Sequence, residues 1–230
     1  MTDAPVMLIT GASSGIGAAT ARAASEAGYR LALAARRSVP LGGLARELGG
    51  PDRALAVPCD VAEWEEQQRM VSAALERFGR LDAVFANAGF GARRGFLEES
   101  PEHWREMVLT NVYGAALTIR ASVTALRESR GHLLLTGSVA GRKAVPGSLY
   151  SCTKWAVAAM SEAARQELHG SGVRVTLLSP GTVQTPFYDE PVDGDQLVPE
   201  DVARAVMFAL SQPPHVDVNE ILMRPTIQAF

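Results

Sequence analysis

The chain has 230 residues, of which 47% are hydrophobic and 21 are glycine, so we expect one domain that buries a sizeable core. The formal net charge is −3, so the chain lacks the excess of Lys and Arg that favours binding to nucleic acids or membrane surfaces. The two cysteines, Cys59 and Cys152, cannot build a secreted disulfide framework, and no apolar run approaches the roughly 20 residues that span a bilayer. We therefore predict a cytoplasmic protein without a nucleic-acid or membrane partner, folded as a single domain over residues 1–230.

Apolar runs and helical patterns alternate along the whole chain. Short apolar or β-branched runs, bounded by Gly, Pro, Arg or Asp, predict strands near residues 6–10, 30–35, 53–58, 82–86, 132–137, 173–179 and 219–223. Between the runs, apolar residues recur at helical spacing, as in Met70, Val71, Ala74 and Phe78. The alternation predicts an α/β fold, a Rossmann-like doubly wound parallel sheet of about seven strands with helices on both faces.

The first predicted strand leads into a glycine turn, Thr10-Gly11-Ala12-Ser13-Ser14-Gly15-Ile16-Gly17, and then into an Ala-rich helical stretch. Gly11 permits a tight turn, Gly15 lets the backbone approach a pyrophosphate, and Gly17 lets the helix pack closely on the strand. Such a turn often only joins a strand to a helix. Here the flanking strand and helix are the context that dinucleotide binding requires.

The second predicted strand ends at Ala35-Arg36-Arg37. Sites that bind NAD carry an acidic residue about 20 positions after the glycine turn, and Ala35 occupies that position. Because Ala35 has no carboxylate, this position does not repel the 2′-phosphate of NADP(H). The Arg36 guanidinium can donate two parallel hydrogen bonds to that phosphate. The pattern favours NADP(H), with Arg36 as the main contact and Arg37 in support. The alternative is two solvated arginines at a strand end.

Glycine and polar motifs follow the carboxyl ends of the predicted strands. In an open parallel sheet the ligand lies outside those ends, where the strand order switches. One crevice can therefore collect Gly11, Arg36, Asp60, Asn87, Ser138 and Pro180.

Tyr150 and Lys154 are four residues apart, and Ser138 lies twelve residues upstream of the tyrosine. Four residues make about one helical turn, so the phenol and the ammonium project from the same helix face. A cation near a phenol favours the phenolate, which indicates acid/base chemistry on an alcohol or a carbonyl. The short connection from Ser138 to Tyr150 requires a tight turn, which Pro146 and Gly147 predict.

Six segments in this order resemble the short-chain dehydrogenase/reductase family over nearly the whole chain. They are the T-G-x-x-x-G-I-G turn, Asn87-Ala88-Gly89, Asn111, Ser138, Tyr150 to Lys154, and Pro180-Gly181-Thr182-Val183 with Thr185. The resemblance implies that Tyr150 is the general acid/base, that Ser138 binds the same substrate oxygen, and that Lys154 stabilises the phenolate and binds the nicotinamide ribose. It implies cofactor contacts from Gly11, Ser13, Ser14, Gly15, Ile16, Gly17, Arg36, Arg37, Asp60, Val61, Asn87, Ala88, Gly89, Tyr150, Lys154, Pro180, Gly181, Val183 and Thr185.

Two further positions take their interpretation from the resemblance. Asp60 resembles the residue that binds the adenine amino group, and Asn111 resembles the amide behind Lys154 that holds a proton-relaying water. The alternative for Asn111 is a satisfied core amide that locally bends its helix. On this view residues 1–130 bind the cofactor, and residues 131–230 carry catalysis and substrate binding.

Substrate identity depends on less specific segments. Residues 186–199 form a short acidic segment, a predicted mobile lid, in which Phe187 and Tyr188 can supply an apolar wall. Arg93 and Arg94 either meet a substrate carboxylate or are solvated loop residues. Residues 217–228 resemble relatives that oxidise serine-like 3-hydroxy acids, while a carbonyl reductase of broad specificity is equally compatible.

We therefore predict an NADP(H)-dependent oxidoreductase that interconverts a secondary alcohol and a carbonyl, acting on a 3-hydroxy acid or a small ketone or aldehyde. No metal is required, because the four histidines lack metal-ligand spacing. The alternative is an NADP(H)-sensing binding protein without turnover, which has little need of Asn111, Ser138, Tyr150 and Lys154 together. The resemblance also implies a homodimer or homotetramer, preferably the latter, formed through the helices near 101–128 and 150–169.

Overall fold

The computed structural model describes residues 4–187 and 193–229. Seven parallel strands form one sheet in the order β3-β2-β1-β4-β5-β6-β7. Each predicted strand is confirmed to within one residue at either end. The strands are β1 Val6–Thr10, β2 Arg30–Ala35, β3 Ala54–Pro58, β4 Ala83–Ala86, β5 His132–Thr136, β6 Arg174–Pro180 and β7 Glu220–Met223.

Helices follow the strands in alternation: α1 Gly15–Glu26, α2 Ser38–Glu47, α3 Trp64–Phe78, α4 Pro101–Val108, α5 Ala115–Ser129, α6 Leu149–Glu167 and α7 Pro199–Ser211. Two short 3₁₀ turns, Gly50–Asp52 and Val139–Gly141, lie in the connections. No helix in the described part of the chain is long and apolar enough to cross a membrane.

The sheet is covered on both faces, as the doubly wound prediction requires. One hydrophobic cluster joins the strands to α3, α5 and α6, and a second joins them to α1, α2 and α7. Successive residues of β1 point to opposite clusters, with Leu8 in the first and Ile9 in the second. Because both faces are buried, β1 is apolar at four consecutive positions, residues 6–9, rather than at alternate ones.

The strand order places a crevice beside β1. This strand pairs with β2 on one side and with β4 on the other, so the connections leave it in opposite directions. The carboxyl ends of β1 and β4 therefore border the position at which such sheets bind ligands. The glycine turn follows β1 directly, and Asn87 follows β4.

The predicted long helix near 101–128 is continuous but not uniformly α-helical. A π-helical segment, Leu109–Gly114, separates α4 from α5 and contains the buried Asn111. A Cβ on Gly114 would lie 2.7 Å from Cγ2 of Val61, so the segment packs closely on the residue after Asp60. Wide helical turns of this kind commonly occur at functional sites.

Candidate active site

The glycine turn has the backbone that the sequence predicts. Gly11 and Gly15 have φ angles of +65° and +52°, in the left-handed region that disfavours other residues. A Cβ on Gly17 would lie 2.4 Å from the Gly11 carbonyl oxygen, so only glycine lets α1 pack this closely on the turn. The residues form a cradle that side chains would fill, which fits a pyrophosphate at the N-terminus of α1.

Asn87 holds three strand ends together at the floor of the crevice. Its Nδ2 donates to the Thr10 carbonyl at 3.0 Å, and its Oδ1 accepts from the Thr136 hydroxyl at 3.0 Å. The Thr10 hydroxyl accepts from the amides of Asn87 and Ala88 at 3.0 and 3.1 Å. Thr10 and Thr136 were not predicted as site residues, although each ends a strand that leads into a predicted motif.

The two arginines after β2 have different surroundings. Arg37 Nη2 donates to the Ser14 and Ser13 hydroxyls at 2.8 and 3.2 Å, which places it against the glycine turn. Arg36 is 60% exposed, with Nη1 3.9 Å from Oδ2 of Asp60. Both guanidinium groups therefore lie beside predicted cofactor contacts, Arg37 against the glycine turn and Arg36 near Asp60.

Asp60 is held by a turn that follows β3. Its amide donates to Oε2 of Glu66 at 2.7 Å, and its Oδ1 accepts from the Ala62 amide at 3.0 Å. The neighbouring Val61 is buried against Gly114. Glu66 thus orients the predicted adenine contact from the first turn of α3, a role that its position in a polar helical stretch does not reveal.

Lys154 and Tyr150 lie on the same face of α6, as their spacing predicts. Lys154 Nζ is 5.6 Å from the centre of the Tyr150 ring and donates to the Thr136 carbonyl at 2.8 Å. Burial lowers the pKa of the Lys154 ammonium to about 8, because the charged form loses hydration. The structure therefore places a buried cation beside the candidate acid/base.

Ser138 precedes the short 3₁₀ turn Val139–Gly141. It is 9% exposed, and its Oγ accepts from the Ala140 amide at 3.1 Å. A Cβ on Gly141 would lie 2.7 Å from the Lys154 carbonyl oxygen, so this turn packs directly on α6. The connection to Tyr150 includes the predicted tight turn, in which Gly147 has φ +65°. Its carbonyl accepts from the Gly95 amide at 2.9 Å.

Asn111 contacts the segment after β4. Its Oδ1 accepts from the Phe90 amide at 3.0 Å, and its Nδ2 donates to the Phe90 carbonyl at 2.9 Å and to the Thr153 hydroxyl at 3.2 Å. A Cβ on Gly89 would lie 3.0 Å from Oδ1 of Asn111 and 3.7 Å from Nζ of Lys154. The amide is therefore satisfied in the core and also lies beside Lys154, so the two interpretations of Asn111 are compatible.

The segment after β6 faces the glycine turn. A Cβ on Gly15 would lie 3.1 Å from Cγ2 of Thr185, so the two segments pack against each other. Gly181 donates its amide to the Met223 carbonyl at 2.7 Å, and the Gln228 side chain accepts from the Thr182 amide at 2.9 Å. Val183 forms a bridge with Leu197. Gln228 supports this segment from near the C-terminus and was not predicted.

Phe187, one of the two predicted wall residues, lies beside Tyr150, the candidate acid/base. Its ring is 5.4 Å from the Tyr150 ring, edge to face, and a Cβ on Gly91 would lie 2.7 Å from its Cζ. Tyr188, the other predicted wall residue, lies outside the described residues, as do Asp189 and Glu190 of the predicted lid. Arg93 and Arg94 are exposed on the loop before α4.

In the described part of the chain, His132 and an open groove beside α6 lie apart from the predicted site. His132 is buried in β5 with its Nε2 2.7 Å from the Thr176 hydroxyl, and burial lowers its pKa to about 3, which keeps the ring neutral. Within residues 4–187 and 193–229, no three His, Cys, Asp or Glu side chains are grouped as metal ligands. An open groove of about 430 Å³ beside α6 and β7 contains none of the predicted catalytic or cofactor-binding residues.

A doubly wound parallel sheet with a glycine cradle at its switch point, and with Ser138, Tyr150 and Lys154 beside that cradle, defines a Rossmann-type oxidoreductase. Comparison with known families agrees, since residues 5–195 match the model described as short chain dehydrogenase. The chain belongs to this family.

Individual relatives cover nearly the whole chain. An uncharacterized oxidoreductase of Staphylococcus aureus is 38% identical over 229 residues, which is 98% of each protein. An alcohol dehydrogenase from the archaeon Thermococcus sibiricus, solved with 5-hydroxy-NADP, has a TM-score of 0.90 and 34% identity over 98% of each chain. The closed form of a serine dehydrogenase complexed with NADP⁺ has a TM-score of 0.89 and 30% identity, covering 98% of this chain and 96% of its own.

Proposed function

We propose that the protein is a cytoplasmic NADP(H)-dependent oxidoreductase that interconverts a secondary alcohol and a carbonyl compound. The observation that carries the proposal is the buried Lys154 ammonium, 5.6 Å from the centre of the Tyr150 ring. Burying a charge is unfavourable unless hydrogen bonds or an opposite charge compensate it, and the hydrogen bond from Lys154 to the Thr136 carbonyl compensates part of this cost. Here the cation lies where it favours a phenolate on the candidate acid/base.

Tyr150 protonates the carbonyl oxygen during reduction and takes the hydroxyl proton during oxidation. Lys154 stabilises the phenolate that remains after the proton leaves, because opposite charges at short distance favour ionisation. Ser138 donates a hydrogen bond to the same substrate oxygen, which orients it toward the phenol. Asn111 fixes the backbone beside Lys154, where a water can return the proton to the solvent.

The cradle and its surroundings fit a nicotinamide dinucleotide, which supplies the hydride when bound. Gly11, Gly15 and Gly17 leave room for the pyrophosphate at the N-terminus of α1. Arg36 and Arg37 meet the 2′-phosphate, so NADP(H) is preferred to NAD(H). The other predicted contacts border the same crevice and complete the binding site, namely Ser13, Ser14, Ile16, Asp60, Val61, Asn87, Ala88, Gly89, Tyr150, Lys154, Pro180, Gly181, Val183 and Thr185.

The substrate is a 3-hydroxy acid or a small ketone, or an aldehyde, for which the alcohol partner is primary rather than secondary. Phe187 covers the Tyr150 ring from one side and gives the reacting carbon an apolar neighbour. Arg93 and Arg94 are exposed at the rim, where a substrate carboxylate can reach them from solvent. The similarity to a serine dehydrogenase and to an alcohol dehydrogenase supports these two substrate classes, and the first fits a carboxylate-bearing substrate.

The test is a turnover assay that follows nicotinamide absorbance. NADPH and NADH are each mixed with ketones, aldehydes and 3-oxo acids, and the reverse reaction is run with 3-hydroxy acids. We expect turnover with NADPH and a loss of at least about 100-fold in kcat for Tyr150→Phe, because the proton donor is removed. Cofactor binding without turnover of any substrate would instead support the NADP(H)-sensing binding protein.

A further inference from the structure

One bidentate ion pair ties the loop that follows Ser138 to the last strand of the sheet. Arg142 Nε and Nη2 donate to Oε1 and Oε2 of Glu220 at 3.0 and 2.6 Å. The Ser179 hydroxyl of β6 donates to the same Oε1 at 2.8 Å. We name Arg142 and Glu220 the Arg142–Glu220 clamp. Its fork geometry fixes direction as well as distance.

The clamp is partly shielded from solvent. The Arg142 and Glu220 side chains are 35% and 30% exposed. Burial raises the pKa of the Glu220 carboxyl, but hydrogen bonds from Arg142 and Ser179 outweigh it and leave the pKa below its ordinary value. Glu220 therefore remains ionised at neutral pH, and the clamp stays charged on both sides.

The clamp attaches to one end of the 3₁₀ turn Val139–Gly141, and Ser138 lies at the other end. Ser138 Oγ accepts from the Ala140 amide within this turn, and Arg142 follows Gly141 directly. Gly141 also lies against the Lys154 backbone, where a Cβ would approach the carbonyl oxygen to 2.7 Å. One short turn therefore connects Arg142 both to the Ser138 hydroxyl and to the backbone of Lys154.

A second attachment holds the same segment to α6. The Ser151 hydroxyl lies 2.7 Å from the Ala140 carbonyl and 3.1 Å from the Lys143 carbonyl. Ser151 belongs to the helix that carries Tyr150 and Lys154, whereas Glu220 belongs to the sheet. The two attachments therefore connect the segment that follows Ser138 to α6 on one side and to the sheet on the other.

We propose that the Arg142–Glu220 clamp is a positioning pair for the reaction, holding Ser138 in place against Tyr150 and Lys154. This positioning role rests on the function proposed above for Ser138, Tyr150 and Lys154. Neither clamp residue needs to touch the substrate, because each acts through the turn between Ser138 and Arg142.

The chain contains a matched control far from these loops. Arg22 of α1 and Glu47 of α2 form the same fork, with Nε–Oε1 and Nη2–Oε2 distances of 2.6 and 2.9 Å. The experiment compares three clamp variants with three control variants. The clamp variants are Arg142→Met, Glu220→Gln and the double variant, and the control variants are Arg22→Met, Glu47→Gln and the corresponding double variant. We expect each clamp variant to lose about tenfold in kcat with less than about a twofold change in KM for NADPH, because orientation rather than cofactor affinity is affected.

The double clamp variant should lose no more kcat than the worse single variant, since two residues that act as one unit are not additive. The control variants should keep kcat within about twofold of the parent. Clamp variants that also keep the parent kcat would overturn the proposal, and so would losses that multiply in the double variant.

Amide hydrogen exchange gives a second test that needs no substrate. We expect the amides of Ala140 and Gly141 to exchange about tenfold faster in the clamp variants than in the parent, with no change in the control variants. Unchanged exchange would overturn the positioning role. A parent protein that turns over no substrate would contradict the proposed function instead, and the exchange result would still decide whether the clamp holds the turn.

Discussion

Lys154 is one of only two lysines in the chain, and the fold buries it to 5% exposure. Burial lowers its pKa to about 8, so the folded protein gives up this proton more readily than the unfolded chain. Below pH 8 both states carry the charge, and folding bears the full cost of desolvating it. As the pH rises from 8 toward the ordinary lysine pKa, the folded state becomes neutral first and the cost is relieved.

Lys154→Met tests this cost separately from catalysis. At pH 7 we expect a higher free energy of unfolding in the variant, by on the order of 3 kcal/mol at most, together with a loss of at least about 100-fold in kcat. The stability difference should shrink between pH 8 and pH 10. Urea unfolding at pH 7 and pH 9.5 measures it, with Lys143→Met, at the exposed second lysine, as the control. A difference that does not change with pH would contradict the assigned cause.

The two arginines after β2 differ in position, and their variants separate the proposed roles. Arg36→Ala should raise KM for NADPH about tenfold and leave KM for NADH nearly unchanged, because only the former carries the 2′-phosphate. Arg37→Ala should have a smaller effect of the same kind, through the Ser13 and Ser14 hydroxyls that it contacts. Initial rates with both cofactors measure this. An unchanged ratio of the two KM values in Arg36→Ala would refute the NADP preference assigned to this side chain.

At the scale of elements, the first helix depends on a glycine that no other residue can replace. A Cβ on Gly17 would meet the Gly11 carbonyl at 2.4 Å, and a backbone atom cannot move aside as a flexible side chain can. The contact holds α1 against the turn that forms the cofactor cradle.

Gly17→Ala should therefore weaken NADPH binding by at least about tenfold and destabilise the fold by roughly 2 kcal/mol. Gly43→Ala in α2 is the matched control, because a Cβ there would meet nothing within 4 Å. We expect that variant to be more stable by about 0.5 to 1 kcal/mol, since alanine favours the helix. Fluorescence titration with NADPH and urea unfolding measure both effects, and equal behaviour of the two variants would contradict the packing account.

The π-helical segment shows how an element adapts to the site. A regular helix over 101–128 would place Asn111 by helical periodicity alone, and its apolar neighbours indicate only that it is buried. The wide turn at Leu109–Gly114 accompanies the contacts of Asn111 with Phe90 and Thr153. These partners lie 21 and 42 residues away, so local sequence could not indicate them.

At the scale of the whole molecule, two neighbouring helical regions expose aromatic side chains. Trp155 of α6 is 46% exposed and Tyr113 of the π segment is 47% exposed. The alanines of α6 are divided, with Ala158 and Ala164 in the core and Ala159 and Ala163 exposed. The exposed pair leaves room for another helix to approach closely.

We predict that these helices form a homotetramer, with a homodimer as the alternative. Light scattering at micromolar concentration should give a mass near four times the 24.4 kDa chain. Trp155→Glu should shift the mass toward smaller species, because a buried charge would weaken the contact. Val39→Glu, at an 82% exposed position on α2, is the control and should change nothing. A monomeric parent protein would contradict the prediction.

Local sequence patterns predicted the seven strands, the glycine turn, and the placement of Tyr150 and Lys154 on one helix face. These features depend on local periodicity and on backbone conformations that only certain residues adopt. The division of the chain into a cofactor-binding part over 1–130 and a catalytic part over 131–230 stays a prediction.

The supporting groups around those motifs could be identified only from the folded chain. Thr10, Thr136, Glu66 and Gln228 hold the site through hydrogen bonds, and several of these join residues more than 40 positions apart. The clamp joins Arg142 to a residue 78 positions later. Such pairings depend on the strand order of the sheet, which brings distant segments together and leaves no periodic signal in the sequence.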